Sequence, residues 1–309
     1  MKKVLLFDYS NVIFRTINKA YVEGRPSEKM KQRAYDETGE IPKTMTTDEI
    51  HDFWKHITLN TMLVTICREK PDEVIIAYDS RCGYWRHNVY PEYKAHRRTS
   101  RDKSVVDYDL FFPVADKFKE EFIKAYPNFK HIEIDQCEAD DISGVIAKEY
   151  CNSQEIVLIT NDKDYIQLLR YPNVRLYNPV DKKEVISINP IKDLDLKVIT
   201  GDMGDNVPAI KPRTAIKTAE KILNQGISAF ILSQPEPKVV EEAYKRNRTL
   251  IDLTHIPPNI CNSIISVYDQ YETKAFSYKA NLEFLQKNKL PKLTDELNLR
   301  HCTILSRIK

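Results

Sequence analysis

The sequence predicts an α/β fold, in which a mostly parallel central sheet is flanked by helices and followed by a smaller, all-helical C-terminal domain. Short apolar runs that end at or just before a carboxylate recur at residues 4–7, 74–78 and 155–160, and such runs are typical of buried parallel strands. Helical patterns alternate with these runs, which favours a parallel sheet with crossover helices. After about residue 200 the strand patterns stop.

The helices are predicted from apolar residues that recur at helical spacing. They cover residues 11–21, 48–68, 108–125, 139–150 and 164–169, and then 214–223, 239–250, 259–268 and 281–288. We place the domain change at residue 200, which gives domains 1–200 and 201–309. Residues 23–47 are rich in Lys, Glu, Thr and Pro with little periodicity, so we expect an exposed and mobile insertion there.

Composition narrows the class of protein. Among 309 residues, 42% are apolar and 30% charged, with a net charge of +2, which excludes general disorder, collagen and coiled coil and argues against a wholly basic coat protein. No apolar run approaches the about 20 residues of a membrane span. The first residues lack a signal-peptide core, and the six cysteines show no metal-like spacing. We therefore expect reduced thiols, no membrane partner and a cytoplasmic location.

Nine carboxylates follow the predicted strands or open the predicted helices. Because carboxyl ends of parallel strands meet at one edge of a sheet, we expect them to converge, and like charges that close require protonation or a bound cation. Oxygen ligands without nearby His or Cys indicate Mg²⁺ or Mn²⁺ rather than Zn²⁺. Helix capping and a glycine-containing loop at 201–206 are the alternative explanations for single motifs. The nine are Asp8, Asp79, Glu138, Asp140, Asp141, Asp162, Asp164, Asp202 and Asp205.

Residues 81–103 form a basic segment, with seven Lys or Arg against two acids and four interleaved Tyr or Trp. A polyanionic substrate held at an acidic, cation-binding site needs such a segment for its flanking phosphates. The alternative is a solvated basic helix with its aromatic residues in the core, which we favour for Trp85.

Five motifs in order resemble the flap endonuclease or 5′ nuclease superfamily, which includes the 5′ nuclease domains of bacterial DNA polymerase I and the bacteriophage 5′ nucleases. The similarity covers roughly residues 1–225, and the whole chain is most similar to the T-even phage ribonuclease H type. Its basic segment matches the helical arch of the phage enzymes, which places the arch at 81–107. The motifs are Asp8 with Arg15, Asp79, Glu138-Ala-Asp-Asp141, Asn161-Asp-Lys-Asp164 and Gly201-Asp-Met-Gly-Asp-Asn-Val-Pro208, and the arch segment is Pro91-Glu-Tyr-Lys-Ala-His-Arg97.

The resemblance implies a PIN-like 5′ nuclease core with two Mg²⁺ ions, for which Mn²⁺ can substitute. Asp8, Asp79, Glu138 and Asp140 would hold the first ion. Asp162, Asp164, Asp202 and Asp205 would hold the second, with Asp141 supporting. Lys94 and Arg97 would contact the scissile phosphate, and Tyr93 would stack on an unpaired base. Further nucleic-acid contacts are expected from Arg15, Arg86, Arg98, Lys211, Arg213 and Lys217.

The resemblance also implies a function: a monomeric 5′-3′ exonuclease and flap endonuclease with ribonuclease H-type activity, leaving 5′-phosphates and removing RNA primers during replication. Its partners would be DNA and RNA–DNA duplexes with 5′ ends, flaps or forks, and a single-strand binding protein or sliding clamp. A phage protein would act in the bacterial host cytoplasm. A helix-turn-helix variant would bind the duplex. Residues 209–214 replace the family's glycine-rich turn, so whether this turn binds K⁺ as in the family is an open question.

Other classes account for less of the pattern. A branched-DNA-binding factor without catalysis would not need the complete carboxylate set. A haloacid-dehalogenase phosphatase needs a second Asp two residues after Asp8, where this chain has Ser10. A PIN-domain ribonuclease shares the acidic sheet edge but needs neither the arch nor the helical C-terminal domain.

Overall fold

The computed structural model describes residues 1–308, apart from the side chains of Arg98, Ser100, Asn298 and Leu299. Six strands are present in this part of the chain: β1 (Lys2–Asp8), β2 (Glu73–Tyr78), β3 (Lys130–Glu133), β4 (Gln154–Ile159), β5 (Val174–Asn178) and β6 (Lys183–Val185). The α-helices are α1 (Tyr9–Gly24), α2 (Glu28–Thr38), α3 (Thr47–Glu69), α4 (Arg86–Val89), α5 (Arg97–Asp102), α6 (Tyr108–Ala125), α7 (Ala139–Tyr150), α8 (Pro190–Thr200), α9 (Ile216–Gln225), α10 (Ile227–Leu232), α11 (Pro237–Ile251), α12 (Pro258–Gln270), α13 (Tyr278–Lys287), α14 (Pro291–Glu296) and α15 (Cys302–Leu305). Lys163–Arg170 and Met203–Asp205 are 3₁₀ helices, and Leu297–His301 is a π-helical turn.

The six strands form one sheet in the order β3-β2-β1-β4-β5-β6. β4 lies between β1 and β5 and is parallel to both, whereas the edge strand β6 is antiparallel to β5. The predicted mostly parallel sheet is thus confirmed. The strands β3, β5 and β6 were not predicted, because they have only three to five residues and are not fully apolar.

The central strands are continuous apolar runs because both faces of the sheet are covered there. Val4, Leu5, Leu6 and Phe7 of β1 are all fully buried. Val4 and Leu6 pack in one cluster with apolar side chains of α7 and α12. Burial of each such side chain contributes about 1.5–3 kcal/mol, so the apolar run holds the end of β1, and Asp8 with it, in place.

The chain forms two compact units that interleave along the sequence. The first contains Met1–Asp8, Ile75–Ser100 and His131–Tyr271, and the second contains Tyr9–Val74, Arg101–Lys130 and the described chain from Glu272 onward. All nine carboxylates lie in the first unit. The division into domains 1–200 and 201–309 therefore remains a prediction, and packing groups residues 201–271 with most of the sheet.

The insertion at residues 23–47 is exposed, as predicted, but it is not irregular, because it contains α2. Ser27 caps the start of this helix and Gly39, with a φ of 76°, ends it. None of its residues is buried, so it shows no apolar periodicity, the signal on which the prediction relied. Ion pairs one turn apart stabilise it, Lys31 with Glu28 and Arg33 with Glu37.

Two further findings bear on the class of protein. None of the helices in residues 1–308 combines the length and the apolar run that a bilayer span requires. All six cysteines are free thiols, as their spacing predicted.

Candidate metal centre and nucleic-acid interface

The carboxyl ends of the central strands bring three of the acidic motifs together. β1 and β4 are parallel with Phe7 opposite Ile159, so Asp8 and Thr160 come next to each other where these strands end. Asp8 is buried and accepts a hydrogen bond from the Tyr165 hydroxyl at 3.2 Å. Asp79, just after β2, accepts one from the Ala139 N–H at 2.8 Å, which places it against the start of α7.

Glu138, Asp140 and Asp141 form the first carboxylate group. Each offers one oxygen, and these oxygens lie within 4.8 Å of one another. Glu138 and Asp141 also form a capping box at the start of α7, in which Asp141 accepts from the Glu138 N–H at 3.0 Å. Capping and clustering are thus compatible, because the same turn that exposes helix N–H groups also aims the carboxylates at one point.

Asp164, Asp202 and Asp205 form the second group, again with oxygens within 4.8 Å of one another. Asp202 and Asp205 come from one tight turn, in which Asp202 accepts from the Gly204 N–H at 2.8 Å. Asp162 caps the adjoining 3₁₀ helix by accepting from the Asp164 N–H at 3.0 Å. Asp8, Asp79 and Asp162 thus lie at the predicted strand ends but outside the two close groups.

Four cationic side chains lie among these carboxylates. Arg86 pairs with Glu138 at 2.7 Å and with Asp141 at 2.8 Å. Arg97 pairs with Asp205 at 2.8 Å. Lys94 contacts Glu138 and lies 3.5 Å from Asp205, so it bridges the two groups. Lys197 likewise bridges the members of the second group, through Asp164 and, at 2.7 Å, Asp202.

The charges of the first group respond differently to this environment. Burial opposes ionisation of Glu138, but Lys94 and Arg86 hold its pKa below its usual range. The pKa of Asp140 is raised well above its usual range by burial and by its acidic neighbours, despite Arg86. Burial also raises the pKa of Asp141. In the first group, burial and mutual repulsion therefore oppose the ionised forms of Asp140 and Asp141, whereas Lys94 and Arg86 favour that of Glu138.

The carboxylate oxygens of the two groups, and one of these oxygens that lacks a hydrogen-bond partner, show whether a divalent cation fits. Both groups offer only carboxylate oxygens, the ligands that Mg²⁺ and Mn²⁺ prefer. Oδ1 of Asp140 is shielded from solvent and accepts no hydrogen bond, since Arg86 lies 3.9 Å away. A buried acceptor without a donor is rare, and a cation at this point satisfies it. The residues fit the ion.

Two of the predicted nucleic-acid contacts, Arg86 and Tyr93, are buried in this structure, and their contact with nucleic acid remains a prediction. Arg86 is 1% exposed, because its guanidinium neutralises carboxylates in the interior. Tyr93 is 3% exposed, and its hydroxyl lies 3.0 Å from oxygens of both Glu138 and Asp205, so its ring is not open to an unpaired base. Trp85 is buried as expected and donates to Asp141 at 3.1 Å.

The arch segment at 81–107 is only partly helical. α4 and α5 are short, and the chain between them turns at Pro91 and Lys94. Pro91 has no N–H with which to continue a helix, and Lys94 is left-handed, with a φ of 58°. The Lys94 N–H donates to the Asp205 carbonyl at 2.8 Å, which holds the turn against the second carboxylate group. Arg98 was predicted to contact nucleic acid, but its side chain is not among those that the structure describes.

The helix-turn-helix that the resemblance implies after Asp202 remains a prediction. The chain there forms a connection and then α9, which begins two residues later than expected. Ile199 of α8 packs in one apolar cluster with Ala219 and Ile222 of α9. The basic residues predicted there, Lys211, Arg213 and Lys217, are all exposed. In the second unit, Arg15 is exposed on α1.

Sequence reasoning missed two residues of the site. Lys197 lies on α8, which was not predicted, and one lysine five residues before Asp202 is a weak signal. Gln167 is 3% exposed and donates to the Asp164 carbonyl at 2.9 Å. Its position three residues after Asp164 could have indicated a contact within one helical turn.

Gly201, directly before the turn that carries Asp202, is expected not to tolerate alanine. It has a φ of 73° and a ψ of −175°, which only glycine adopts readily. A Cβ there would lie 2.4 Å from the backbone oxygen of Val207. We expect Gly201→Ala to lower the free energy of unfolding by more than the about 1–3 kcal/mol of backbone strain alone, and to weaken divalent-metal binding by displacing Asp202.

The matched control for this substitution is Gly39→Ala, measured by urea unfolding and by Mn²⁺ titration. Gly39 has a similar φ of 76°, with nothing within 4 Å of its Cβ position. We expect it to reduce stability through strain alone and to leave metal binding intact. Equal losses in both variants would contradict the role of the close approach at Gly201.

The chain is similar to known nucleases along most of its length. Residues 3–194 match the 5′-3′ exonuclease, N-terminal resolvase-like domain, and residues 189–299 match the domain described as T4 RNase H, C terminal. Ribonuclease H of Enterobacteria phage T4 is 30% identical over 270 residues, which cover 79% of this chain and 85% of that protein. DNA polymerase I of Bacillus subtilis is 30% identical over 169 residues, which cover 51% of this chain but 18% of the polymerase.

Solved structures share the fold. The bacteriophage T5 D15 flap endonuclease, in a pseudo-enzyme-product complex with DNA and metal ions, superposes with a TM-score of 0.60 at 18% identity, covering 93% of this chain and 100% of that one. The T5 5′-exonuclease with bound zinc gives a TM-score of 0.56, also at 18% identity, over 93% of this chain and 98% of that one. From the two domain matches and the T4 relative, the chain belongs to the 5′-3′ exonuclease family and is a 5′ nuclease.

Proposed function

We propose that this nuclease uses two Mg²⁺ ions, for which Mn²⁺ can substitute, and that the two carboxylate groups hold one ion each. The observation that carries the proposal is the pair of oxygen-only groups in one unit, linked by Lys94. Glu138 and Asp140, with Asp8 and Asp79 at the adjacent strand ends, would serve the first ion. Asp164, Asp202 and Asp205, with Asp162 beside them, would serve the second. Asp141 holds Arg86 and supports the first group.

The protein's own cations would place the substrate phosphates. When bound, two divalent ions supply activation of the attacking water and neutralise charge on the leaving 3′ oxygen. Lys94 and Arg97 lie at the carboxylates with 12% and 42% of their side chains exposed, so they can turn toward a phosphate that enters from solvent. Lys197, at 26% exposed, is placed to do the same beside the second group.

The exposed basic residues of the helix-turn-helix are proposed to hold the duplex. Lys211, Arg213 and Lys217 would contact its backbone phosphates and carry no sequence preference. Arg15 would contribute a further phosphate contact. A K⁺ ion at residues 209–214 is part of the proposal, and adding K⁺ to a duplex-binding titration tests it. Functionally, residues 1–200 together with Asp202 and Asp205 would carry the chemistry, and the rest of 201–309 would bind the duplex.

The substrates we propose are 5′ flaps, forks and RNA–DNA or DNA–DNA duplexes with a 5′ end, cut to give 5′-phosphates during RNA primer removal. The relatives support this choice: one is named a ribonuclease H, and one structure is described as a flap endonuclease in a product complex with DNA. A monomer in the cytoplasm of a phage-infected bacterium, acting with a single-strand binding protein or a sliding clamp, completes the proposal.

The test compares a labelled duplex carrying a 5′ flap with a nicked, RNA-primed duplex, each in Mg²⁺ and in EDTA. We expect short products from the 5′ end in Mg²⁺ and none in EDTA, since the carboxylates alone supply no charge stabilisation for the leaving oxygen. The ratio of the two rates measures the preference between flap and primer. Cleavage that persists in EDTA would contradict the metal assignment. Salt-sensitive binding without cleavage would favour a silent DNA-binding factor.

A further inference from the structure

The C-terminal end of α11 lies against the elements that carry the carboxylates of the first unit. Leu250 and Ile251 at this end are buried, at 3% and 6% exposed. The last carbonyls of a helix have no partner within the helix, and buried backbone groups are nearly always paired. The partners of these carbonyls therefore show which elements the end of α11 is bonded to.

Gln167 supplies one of them and closes a bridge to the second carboxylate group. Its Nε2 donates to the Ile251 carbonyl at 3.0 Å, and its Oε1 accepts from the Leu253 N–H at 2.9 Å. The same Nε2 donates to the carbonyl of Asp164 at 2.9 Å. One buried amide thus joins the end of α11 to the residue that carries a candidate ligand.

Arg86 supplies the second partner and closes the equivalent bridge to the first group. Its Nε donates to the Leu250 carbonyl at 2.9 Å, while its Nη atoms pair with Glu138 and Asp141. The carbonyls of two consecutive residues of α11 are therefore bound by two side chains. Arg86 also pairs with carboxylates of the first group, and Gln167 also bonds the backbone of Asp164 in the second group.

A third buried side chain, Asn247 on α11 itself, fixes the remaining element. It is fully buried and donates to the carbonyls of Val198 at 2.9 Å and Pro208 at 2.8 Å. These residues flank the turn that carries Asp202 and Asp205. The helix is thereby joined by hydrogen bonds on both sides of that turn, which sets its position relative to Asp164.

We propose that Gln167 is a positioning residue of the metal centre, which sets the spacing of the carboxylate groups by tying Asp164 to the C-terminal end of α11. The proposal rests on the two-metal function proposed above. It extends that function into the C-terminal part of the chain: α11 lies in the region that matches the T4 RNase H C-terminal domain, yet it sets the geometry of ligands in the N-terminal match.

Mn²⁺ titration of the full chain without DNA, with free Mn²⁺ followed by electron paramagnetic resonance, tests the proposal. Gln167→Met removes every hydrogen bond of the side chain at similar size. Gln167→Glu keeps the acceptor for Leu253 but loses both donors. The matched control is Asn288→Leu in the second unit, where a buried amide bonds Glu121 and Phe284 and no ligand is near in the sequence.

We expect wild type and Asn288→Leu to bind two Mn²⁺ ions with equal affinity, and both Gln167 variants to bind the second ion about 10- to 100-fold more weakly. In Mg²⁺ assays kcat falls while KM for a flap duplex is unchanged, because DNA contacts are intact. If Gln167→Met fails to fold, Gln167→Glu decides. Wild-type affinity in a folded Gln167 variant overturns the positioning role. Absence of Mn²⁺ binding to wild type overturns the proposed metal chemistry and this role with it.

Discussion

Asp140→Asn is expected to lower the single-turnover rate of flap cleavage in Mg²⁺ by about 10³-fold or more, because losing a ligand charge removes several kcal/mol of stabilisation. The substitution keeps the size of the side chain. The shielded Oδ1 accepts no hydrogen bond from the protein, so no donor loses its partner. DNA binding in EDTA, measured by fluorescence anisotropy, is expected to stay at the wild-type level.

The same variant is expected to be no less stable than wild type when both are unfolded with urea in EDTA. Burial and the neighbouring Glu138 and Asp141 raise the pKa of Asp140 well above its usual range, and asparagine places no charge at this position. Asp36→Asn, on the exposed α2, is the control for both measurements and should behave as wild type. Wild-type cleavage by Asp140→Asn would remove Asp140 from the metal centre.

Arg86→Met is expected to lower the free energy of unfolding in EDTA by about 3–5 kcal/mol. The guanidinium is 1% exposed and hydrogen-bonds Glu138, Asp141 and the Leu250 carbonyl. Methionine fills much of the same volume but leaves Asp141 without its main counter-charge and Glu138 with Lys94 alone. Urea unfolding at neutral pH, followed by circular dichroism, measures the change.

Arg33→Met is the matched control for the loss of an arginine. Arg33 is exposed on α2 and pairs with Glu37 one turn away, an arrangement worth at most about 1 kcal/mol. Arg86→Lys should recover part of the loss, because it restores one charge without the forked geometry. A change below about 1 kcal/mol for Arg86→Met would show that the interior carboxylates are neutralised by other means.

The acidic motifs could be predicted because each one is local. An apolar run that ends in Asp8, and Glu138-Ala-Asp-Asp141 at a helix start, are readable from neighbouring residues alone. The competing explanation, helix capping, was also correct, since Glu138 and Asp141 form a capping box. One turn performs both tasks, so a local pattern does not separate them.

The roles of the basic segment could not be predicted in the same way. Arg86 and Lys94 occur in one short run of similar residues, yet Arg86 is buried against Asp141 while Lys94 reaches Asp205. That difference depends on the left-handed backbone at Lys94 and on residues more than 50 positions away. α2 was missed for the opposite reason, because a helix without a buried face leaves no apolar period.

By itself, the sequence determined the α/β class, the acidic sheet edge and the family. The apolar runs of buried strands and the motifs each consist of residues that are neighbours in the chain, so they can be recognised without the structure. Only the tertiary structure decided which cations neutralise the carboxylates, that Lys197 and Gln167 belong to the site, and that α11 anchors it. The physical reason is that ion pairs and buried hydrogen bonds form between atoms a few ångströms apart, such as Gln167 Nε2 and the Ile251 carbonyl at 3.0 Å, whose separation of 84 residues leaves no periodic trace in the chain.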